Sequence, residues 1–94
     1  MRPDTAPYLV EVRRGAQKQL ARLSDEDANR IVEALFRMAE LGIGDVKDIG
    51  ADYAGKYRLR VGNWRIFFNL DGNVIDVTRL KKRGEAYKLR SRNT

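Results

Sequence analysis

The feature that most constrains the fold is the alternation of apolar and cationic residues over residues 56–68, which a Gly-Asn dipeptide interrupts at residues 62–63. Alternation with a period of two is typical of a β-strand with one buried face, and a Gly-Asn dipeptide between two such runs favours a tight hairpin turn. The predicted pairs on the apolar face are Tyr57 with Phe68, Leu59 with Ile66, and Val61 with Trp64.

The reverse face of this hairpin is positively charged. The same register places Arg60 directly opposite Arg65, with Arg58 one pleat away. Like charges that face each other on a sheet are destabilising, so the arrangement indicates that something anionic binds there. The planar guanidinium fork suits phosphate above other anions.

Charge is concentrated in the second half of the chain. Residues 1–50 carry 8 Lys/Arg and 9 Asp/Glu, whereas residues 51–94 carry 11 and 4, which gives net charges of −1 and +7. Such a distribution fits a polyanionic partner, most simply nucleic acid, although an acidic protein or a ribosomal surface fits as well.

The composition excludes several kinds of site. Because the 94 residues include no cysteine and no histidine, there is no disulfide, no thiolate nucleophile and no histidine base. We expect no metal and no cofactor. We also expect a single domain over residues 1–94 that is cytoplasmic and has no membrane partner, since neither a secretory signal nor an apolar run of about 20 residues is present.

Hydrophobic spacing predicts an α+β fold. A helical hairpin should pack on one face of a small antiparallel β-sheet, with the cationic surface on the other face. The second helix should begin after Ser24 as N-cap and end at Gly42. The remaining predictions are a strand at residues 8–12, a first helix at 14–23, a loop at 42–55, a strand at 74–78, a basic segment at 79–83, and a short C-terminal helix or turn with Glu85, Tyr87 and Leu89.

Of the aromatic residues in this region, Phe67 leaves two alternatives. Phe67 shares a face with Arg65, so its ring either stacks on a nucleobase or fills the cationic face when a partner is bound. Tyr57, Trp64 and Phe68 are predicted core residues. Arg79 has the same parity as Ile75 and Val77, which predicts a structural residue at the end of the sheet.

The order of these elements and two motifs resemble the RelE/ParE family of toxin-antitoxin toxins. The motifs are Tyr-Arg-Leu-Arg-Val-Gly-x-x-Arg at residues 57–65 and Lys-Arg-Gly-Glu-Ala-Tyr at residues 82–87. The resemblance covers nearly the whole chain. It implies a cognate antitoxin, in the form of an acidic, partly disordered peptide that folds on contact.

The RelE branch of the family implies a metal-independent endoribonuclease that cuts messenger RNA in the ribosomal A site by attack of the 2′-hydroxyl on the adjacent phosphate. By this resemblance the catalytic residues are Tyr87, Arg65 and Arg83, and the phosphate- and RNA-binding residues are Arg58, Arg60, Lys81, Lys56 and Phe67. Arginine cannot serve as the base, since guanidinium stays protonated in proteins. Tyr87 is the predicted base, provided that nearby cations favour its ionised form, and Glu85 is the alternative.

Two other functions remain open. The ParE branch implies a DNA gyrase inhibitor that acts by protein contacts, and in that case the cationic face serves binding alone. An Arg followed four residues later by a Tyr, as at Arg83 and Tyr87, is more similar to the RelE branch. A third class is an RNA- or ribosome-binding module without activity.

Overall fold

The computed structural model describes residues 7–50 and 55–83 and has two helices beside a five-stranded sheet. In chain order the elements are β1 (Leu9–Val12), α1 (Arg14–Ala21), α2 (Asp25–Leu41), β2 (Asp45–Asp48), β3 (Tyr57–Val61), β4 (Trp64–Asp71) and β5 (Val74–Lys82). The α+β prediction is confirmed. The predicted C-terminal helix around Tyr87 lies outside the described residues.

The strand order is β1-β5-β4-β3-β2, and the sheet is mixed. β2, β3, β4 and β5 pair antiparallel, as predicted for the hairpin strands, but β1 pairs parallel to β5. The expectation of a wholly antiparallel sheet was therefore wrong at one edge. Parallel neighbours need a long connection, and α1, α2 and three strands lie between β1 and β5 in the chain.

The second helix has the predicted ends. Ser24 Oγ accepts a hydrogen bond from the Asp27 amide at 3.2 Å, and three acidic residues occupy the first turn. Gly42 has a left-handed conformation with φ of 69° and donates its amide to Met38 O at 2.9 Å. A side chain would be strained at that φ, which explains why glycine ends the helix. Neither α1 nor α2, the helices within the described ranges, has the length and apolar content that a membrane crossing requires.

The core lies between the helices and one face of the sheet. The predicted pairs Tyr57 with Phe68, Leu59 with Ile66, and Val61 with Trp64 are all present. The Tyr57 and Phe68 rings stack with their centroids 5.5 Å apart. The buried cluster comprises Tyr8, Ala16, Ile31, Leu35, Met38, Ala39, Leu59, Ile66, Phe68, Ile75, Val77 and Leu80, and Tyr57 and Trp64 pack against it. The core assignment of the three aromatic residues is confirmed.

The segment predicted as a loop at 42–55 contains an edge strand. Asp45–Asp48 forms β2, in which Asp45 lies opposite Arg60 and Val46 opposite Leu59. The strand has one apolar residue, Val46, so its own sequence carries no alternating signal and its pairing partner β3 determines its conformation. Gly44 allows the chain before β2 to lie close to Leu59 on β3, because a Cβ at Gly44 would be 2.9 Å from Leu59 Cδ1.

A β-bulge separates the two halves of the β4–β5 pairing. Phe67 pairs with Arg79 and Phe68 with Val77, so Thr78 is the extra residue of β5, and its hydroxyl donates to Phe67 O at 3.2 Å. Beyond the bulge the parity of β5 is reversed. Leu80 therefore enters the core, and Arg79 is exposed on the opposite face. The predicted position of Arg79 on the core face was wrong.

Gly55 allows two backbone segments to meet. A Cβ at Gly55 would lie 2.8 Å from Phe68 N and 2.9 Å from Phe68 O, and β4 cannot move away without disturbing its pairing on both sides. We expect Gly55→Ala to lower the free energy of unfolding by about 1–3 kcal/mol, the usual cost of overpacking. Urea denaturation followed by circular dichroism measures this change.

Gly15→Ala is the matched control. Nothing lies within 4 Å of a Cβ at Gly15, which is in the first turn of α1. Because alanine has the higher helix propensity, the free energy of unfolding should stay the same or rise by up to about 1 kcal/mol. Equal destabilisation by the two substitutions would contradict the proposed contact at Gly55.

Candidate functional site

The face of the sheet that points away from the helices is predominantly cationic. We call Arg58, Arg60, Arg65, Arg79 and Lys81 together the cationic face. In one cross-strand row, Arg60 lies opposite Arg65, which in turn lies opposite Lys81. The predicted opposition of Arg60 and Arg65 is confirmed, and β5 adds a third cation to the same row.

A neighbouring row surrounds an aromatic ring with positive charge. Phe67 on β4 lies between Arg58 on β3 and Arg79 on β5, and Lys47 on β2 continues the row beyond Arg58. Phe67 is only 7% exposed although it lies on the face opposite the core. Its ring therefore acts as a packing platform for its neighbours in this conformation and presents little free surface for stacking.

Three arginines of the cationic face have oxygen atoms close to their guanidinium groups. Arg65 Nη1 donates to Gly62 O at 3.3 Å and to Trp64 O at 3.2 Å, so this guanidinium is held toward the hairpin turn. Asp45 on β2 approaches two arginines, with 3.6 Å between its Oδ1 and Arg58 Nη2 and 3.9 Å between its Oδ2 and Arg60 Nε. These contacts relieve part of the repulsion between like charges that face each other across the strands.

Arg58 is more enclosed than its neighbour on β3, Arg60. Its side chain is 20% exposed, against 52% for Arg60. Within residues 7–50 and 55–83, Arg58 Nε is buried and has no hydrogen-bond partner. Holding a charged group in this way costs free energy, which an anion bound at the guanidinium would offset.

The remaining predicted residues occupy the ends of the face. Arg83 is exposed, and its amide donates a hydrogen bond to Asn63 O in the hairpin turn at 2.6 Å. Arg83 therefore lies at the same end of the sheet as Lys81. Lys56 precedes β3 at the other end, about 7 Å along the strand from Arg58, and its Nζ lies 5.6 Å from the Tyr57 ring centroid. Tyr87 and Glu85 lie outside the described residues.

Carboxylates border the opposite end of this surface, next to β1. Asp76 lies opposite Glu11 on β1 and opposite Asn69 on β4. Arg13 donates two hydrogen bonds to the Asp76 carboxylate, from Nε to Oδ1 at 3.1 Å and from Nη2 to Oδ2 at 2.8 Å. These hydrogen bonds and the charge of Asp76 raise the pKa of Arg13, so the guanidinium of Arg13 stays protonated. The sheet surface thus runs from cations near the hairpin turn to carboxylates near β1.

This arrangement can bind phosphate and stabilise developing negative charge, but its arginines cannot remove a proton. Sequence reasoning missed two of its members, Arg79 and Asp45. The spacing of Ile75, Val77 and Leu80 could have revealed Arg79. The step of three residues from Val77 to Leu80 breaks the alternation and indicates a bulge, which turns Arg79 away from the core. Asp45 carried no comparable signal, since its strand has one apolar residue.

A second exposed surface is apolar. A groove of about 430 Å³ lies between β1 and α2 and is lined in part by Val10, Val32 and Phe36. Leu9 at its edge is 62% exposed and Phe36 is 55% exposed. Exposed apolar side chains gathered around an edge strand are typical of a surface that binds another chain.

The sequence and the fold are similar to known toxins. Residues 10–87 match the family described as ParE toxin of type II toxin-antitoxin system, parDE. No curated protein matches the chain. A chain of the toxin-antitoxin complex RelBE2 from Mycobacterium tuberculosis has a TM-score of 0.74 and 21% identity, over 87% of this chain and 98% of that one.

Two archaeal structures have the same fold. A chain of the RelE-RelB complex from Pyrococcus horikoshii OT3 has a TM-score of 0.68 and 25% identity, over 83% of this chain and 97% of that one. A chain of the RelB-RelE antitoxin-toxin complex from Methanococcus jannaschii has a TM-score of 0.65 and 24% identity, with coverages of 83% and 95%. These structures agree with the α+β architecture described above.

The enclosed position of Phe67 predicts a structural contribution. We expect Phe67→Ala to lower the free energy of unfolding by about 3 kcal/mol, because it removes a buried ring and leaves its charged neighbours without their apolar support. Phe36→Ala is the control, since Phe36 is 55% exposed and its loss should change stability little. Thermal unfolding of the two variants measures the difference, and equal melting temperatures would contradict a packing role for Phe67.

Proposed function

We propose that this chain, which belongs to the ParE toxin family of type II toxin-antitoxin systems, is a metal-independent, ribosome-dependent endoribonuclease that cleaves messenger RNA in the A site. The observation that carries the proposal is the row in which Arg60, Arg65 and Lys81 lie side by side across three strands. Such a row matches the repeated negative charge of an RNA backbone.

The proposed reaction needs only groups that the chain and the RNA supply. The 2′-hydroxyl oxygen attacks the adjacent phosphorus, the bond from phosphorus to the 5′-oxygen breaks, and the products carry a 2′,3′-cyclic phosphate and a 5′-hydroxyl. Negative charge builds on the phosphate oxygens during this step. Arg60 and Arg65 would hold those oxygens, since fixed guanidinium groups stabilise charge that develops in the transition state.

Proton transfer requires further residues. At the hairpin end of the sheet, Arg83 would stabilise the negative charge on the departing 5′-oxygen, and the ammonium group of Lys81 or a water molecule would give that oxygen its proton. Tyr87 is the proposed base for the 2′-hydroxyl, and Glu85 is the alternative. Arg58 and Lys56 are proposed to contact the RNA on either side of the cleaved phosphate, and the enclosed ring of Phe67 is proposed to support Arg58, its neighbour across the strands.

A gyrase inhibitor is the second candidate. The observation that favours it is the description of the matched family as ParE toxin. In that case the cationic face would bind protein, and no residue would transfer a proton. A module that binds RNA without cleaving it would use the same face and would be recognised by binding without cuts.

Primer extension on a reporter messenger RNA translated in a cell-free extract tests the proposal. The unmodified chain should produce translation-dependent cuts. Arg60→Gln should weaken them roughly tenfold or more, because one donor to the reacting phosphate is lost. Arg60 is preferred to Arg65 for this substitution, since Arg65 also donates to the hairpin turn.

Arg37→Gln is the matched control, because it removes the same charge from an exposed position on α2. This variant should cleave like the unmodified chain. Tyr87→Phe keeps the ring and removes the hydroxyl, so its cuts should also disappear if Tyr87 is the base. Intact RNA together with inhibition of DNA supercoiling by gyrase, in an assay on the same preparations, would overturn the ribonuclease proposal in favour of the second candidate.

We also propose that a cognate antitoxin binds the groove between β1 and α2. The three similar solved structures are all complexes of a toxin with an antitoxin. An apolar groove beside an edge strand offers a partner both side-chain burial and backbone hydrogen bonds. An acidic segment of the same partner could continue to the cationic face and neutralise its arginines.

Phe36→Glu tests this surface, with the co-expressed cognate antitoxin as the probe. A carboxylate in the groove should weaken the complex at least tenfold, since a charge buried against apolar partners is costly. Ile43→Glu is the control, because Ile43 is similarly exposed, at 52% against 55%, but does not line the groove. Equal affinities of the two variants in isothermal titration calorimetry would place the antitoxin elsewhere.

A further inference from the structure

Asp45 introduces a negative charge at the border of the cationic face. It lies directly opposite Arg60 in the β2–β3 pairing, one residue from Val46, which packs against the core. Its two carboxylate oxygens face different arginines, with 3.6 Å from Oδ1 to Arg58 Nη2 and 3.9 Å from Oδ2 to Arg60 Nε. The carboxylate thus stands where one phosphate could contact both guanidinium groups.

The contacts of Asp45 are loose. Both distances exceed the roughly 2.7–2.9 Å of a charge-assisted hydrogen bond, and the Asp45 side chain is 59% exposed. An ion pair of this kind is weak, because water screens it and because its geometry is poor. A phosphate whose oxygens accepted hydrogen bonds from the same guanidinium groups could displace the carboxylate by rotation of the Asp45 side chain.

The backbone of Asp45, in contrast, is held in place. β2 pairs with β3 over its whole length, Val46 packs against the core, and Gly44 allows close contact with Leu59. The carboxylate therefore cannot leave the neighbourhood of Arg58 and Arg60 when it is displaced. It remains within reach and competes with any anion that binds there.

We propose that Asp45 is an internal competitor for the phosphate-binding arginines Arg58 and Arg60, which lowers the affinity of the face for polyanions in general. The inference rests on the proposed RNA-binding function. A non-specific polyanion must displace Asp45 and forms few other contacts that would offset the free energy of this displacement. A correctly placed RNA makes additional contacts at Arg65 and Lys81, so it loses a smaller share of its binding free energy to this competition.

Direct binding measurements test the inference without relying on cleavage. The probe is a fluorescent 2′-O-methyl RNA oligonucleotide, which lacks the attacking hydroxyl and stays intact. With the full chain at low salt, Asp45→Asn should tighten binding about threefold to tenfold, the effect of removing two weak ion pairs. The slope of log affinity against log salt should steepen by about 0.7, the value for one more phosphate contact on a single strand.

Glu33→Gln is the matched control. It changes the net charge equally, but Glu33 is exposed on α2, in the helical layer on the other side of the sheet. It should change affinity less than twofold. If Glu33→Gln tightens binding as much as Asp45→Asn, the effect belongs to net charge, and the inference is overturned.

A double substitution locates the competition. When Arg58→Gln is already present, Asp45→Asn should gain less affinity, because one of the two contacts of the carboxylate is gone. Weaker binding by Asp45→Asn, with an unchanged melting temperature, would show that the carboxylate orients the arginines, which overturns competition. Failure of every variant to bind RNA would reject the proposed RNA-binding function as well, whereas equal binding by the unmodified chain and Asp45→Asn would reject the inference alone.

Discussion

The burial of Leu59, Ile66 and Phe68 against the helices is the constraint on which the rest of the structure depends. Side chains alternate along a strand, so burying these residues turns Arg58, Arg60 and Arg65 to the other side of the sheet. Leu59 lies opposite Ile66, and the same register then puts Arg60 opposite Arg65. The core thus stabilises a repulsive arrangement on the reverse face, and its free energy of burial greatly exceeds the cost of one exposed like-charge pair.

The bulge at Thr78 changes which side chains of β5, the third strand of this surface, face the core. Without the extra residue, the alternation that buries Ile75 and Val77 would also bury the position of Arg79 and expose that of Leu80. With it, Leu80 is 1% exposed in the core, and Arg79 and Lys81 join the cations of β3 and β4. A single irregularity therefore satisfies the apolar core and enlarges the charged face together.

Most of the fold could be predicted from local signals that the tertiary structure reinforces. Ser24 and Gly42 mark the ends of α2 because capping depends on a few neighbouring atoms, and the Gly-Asn turn fixes the hairpin register for the same reason. β2 could not be predicted, and Arg79 could be assigned to the cationic face only by allowing for a bulge in β5. The four residues of β2 become a strand only because β3 offers hydrogen bonds, and the parity of Arg79 depends on a bulge whose partner lies eleven residues away in β4.

The positions of the two exposed surfaces limit how one partner can cover both. The apolar groove borders β1, whereas the cations lie on β3, β4 and the end of β5 beyond the β1 pairing. Between them on the sheet surface lies Glu11, whose carboxylate repels an acidic chain, and next to it lies the ion pair of Asp76 with Arg13. A partner that fills the groove can reach Arg60 and Arg65 only if its chain passes this acidic border, so binding at the groove and neutralisation of the cationic face require different segments of that partner.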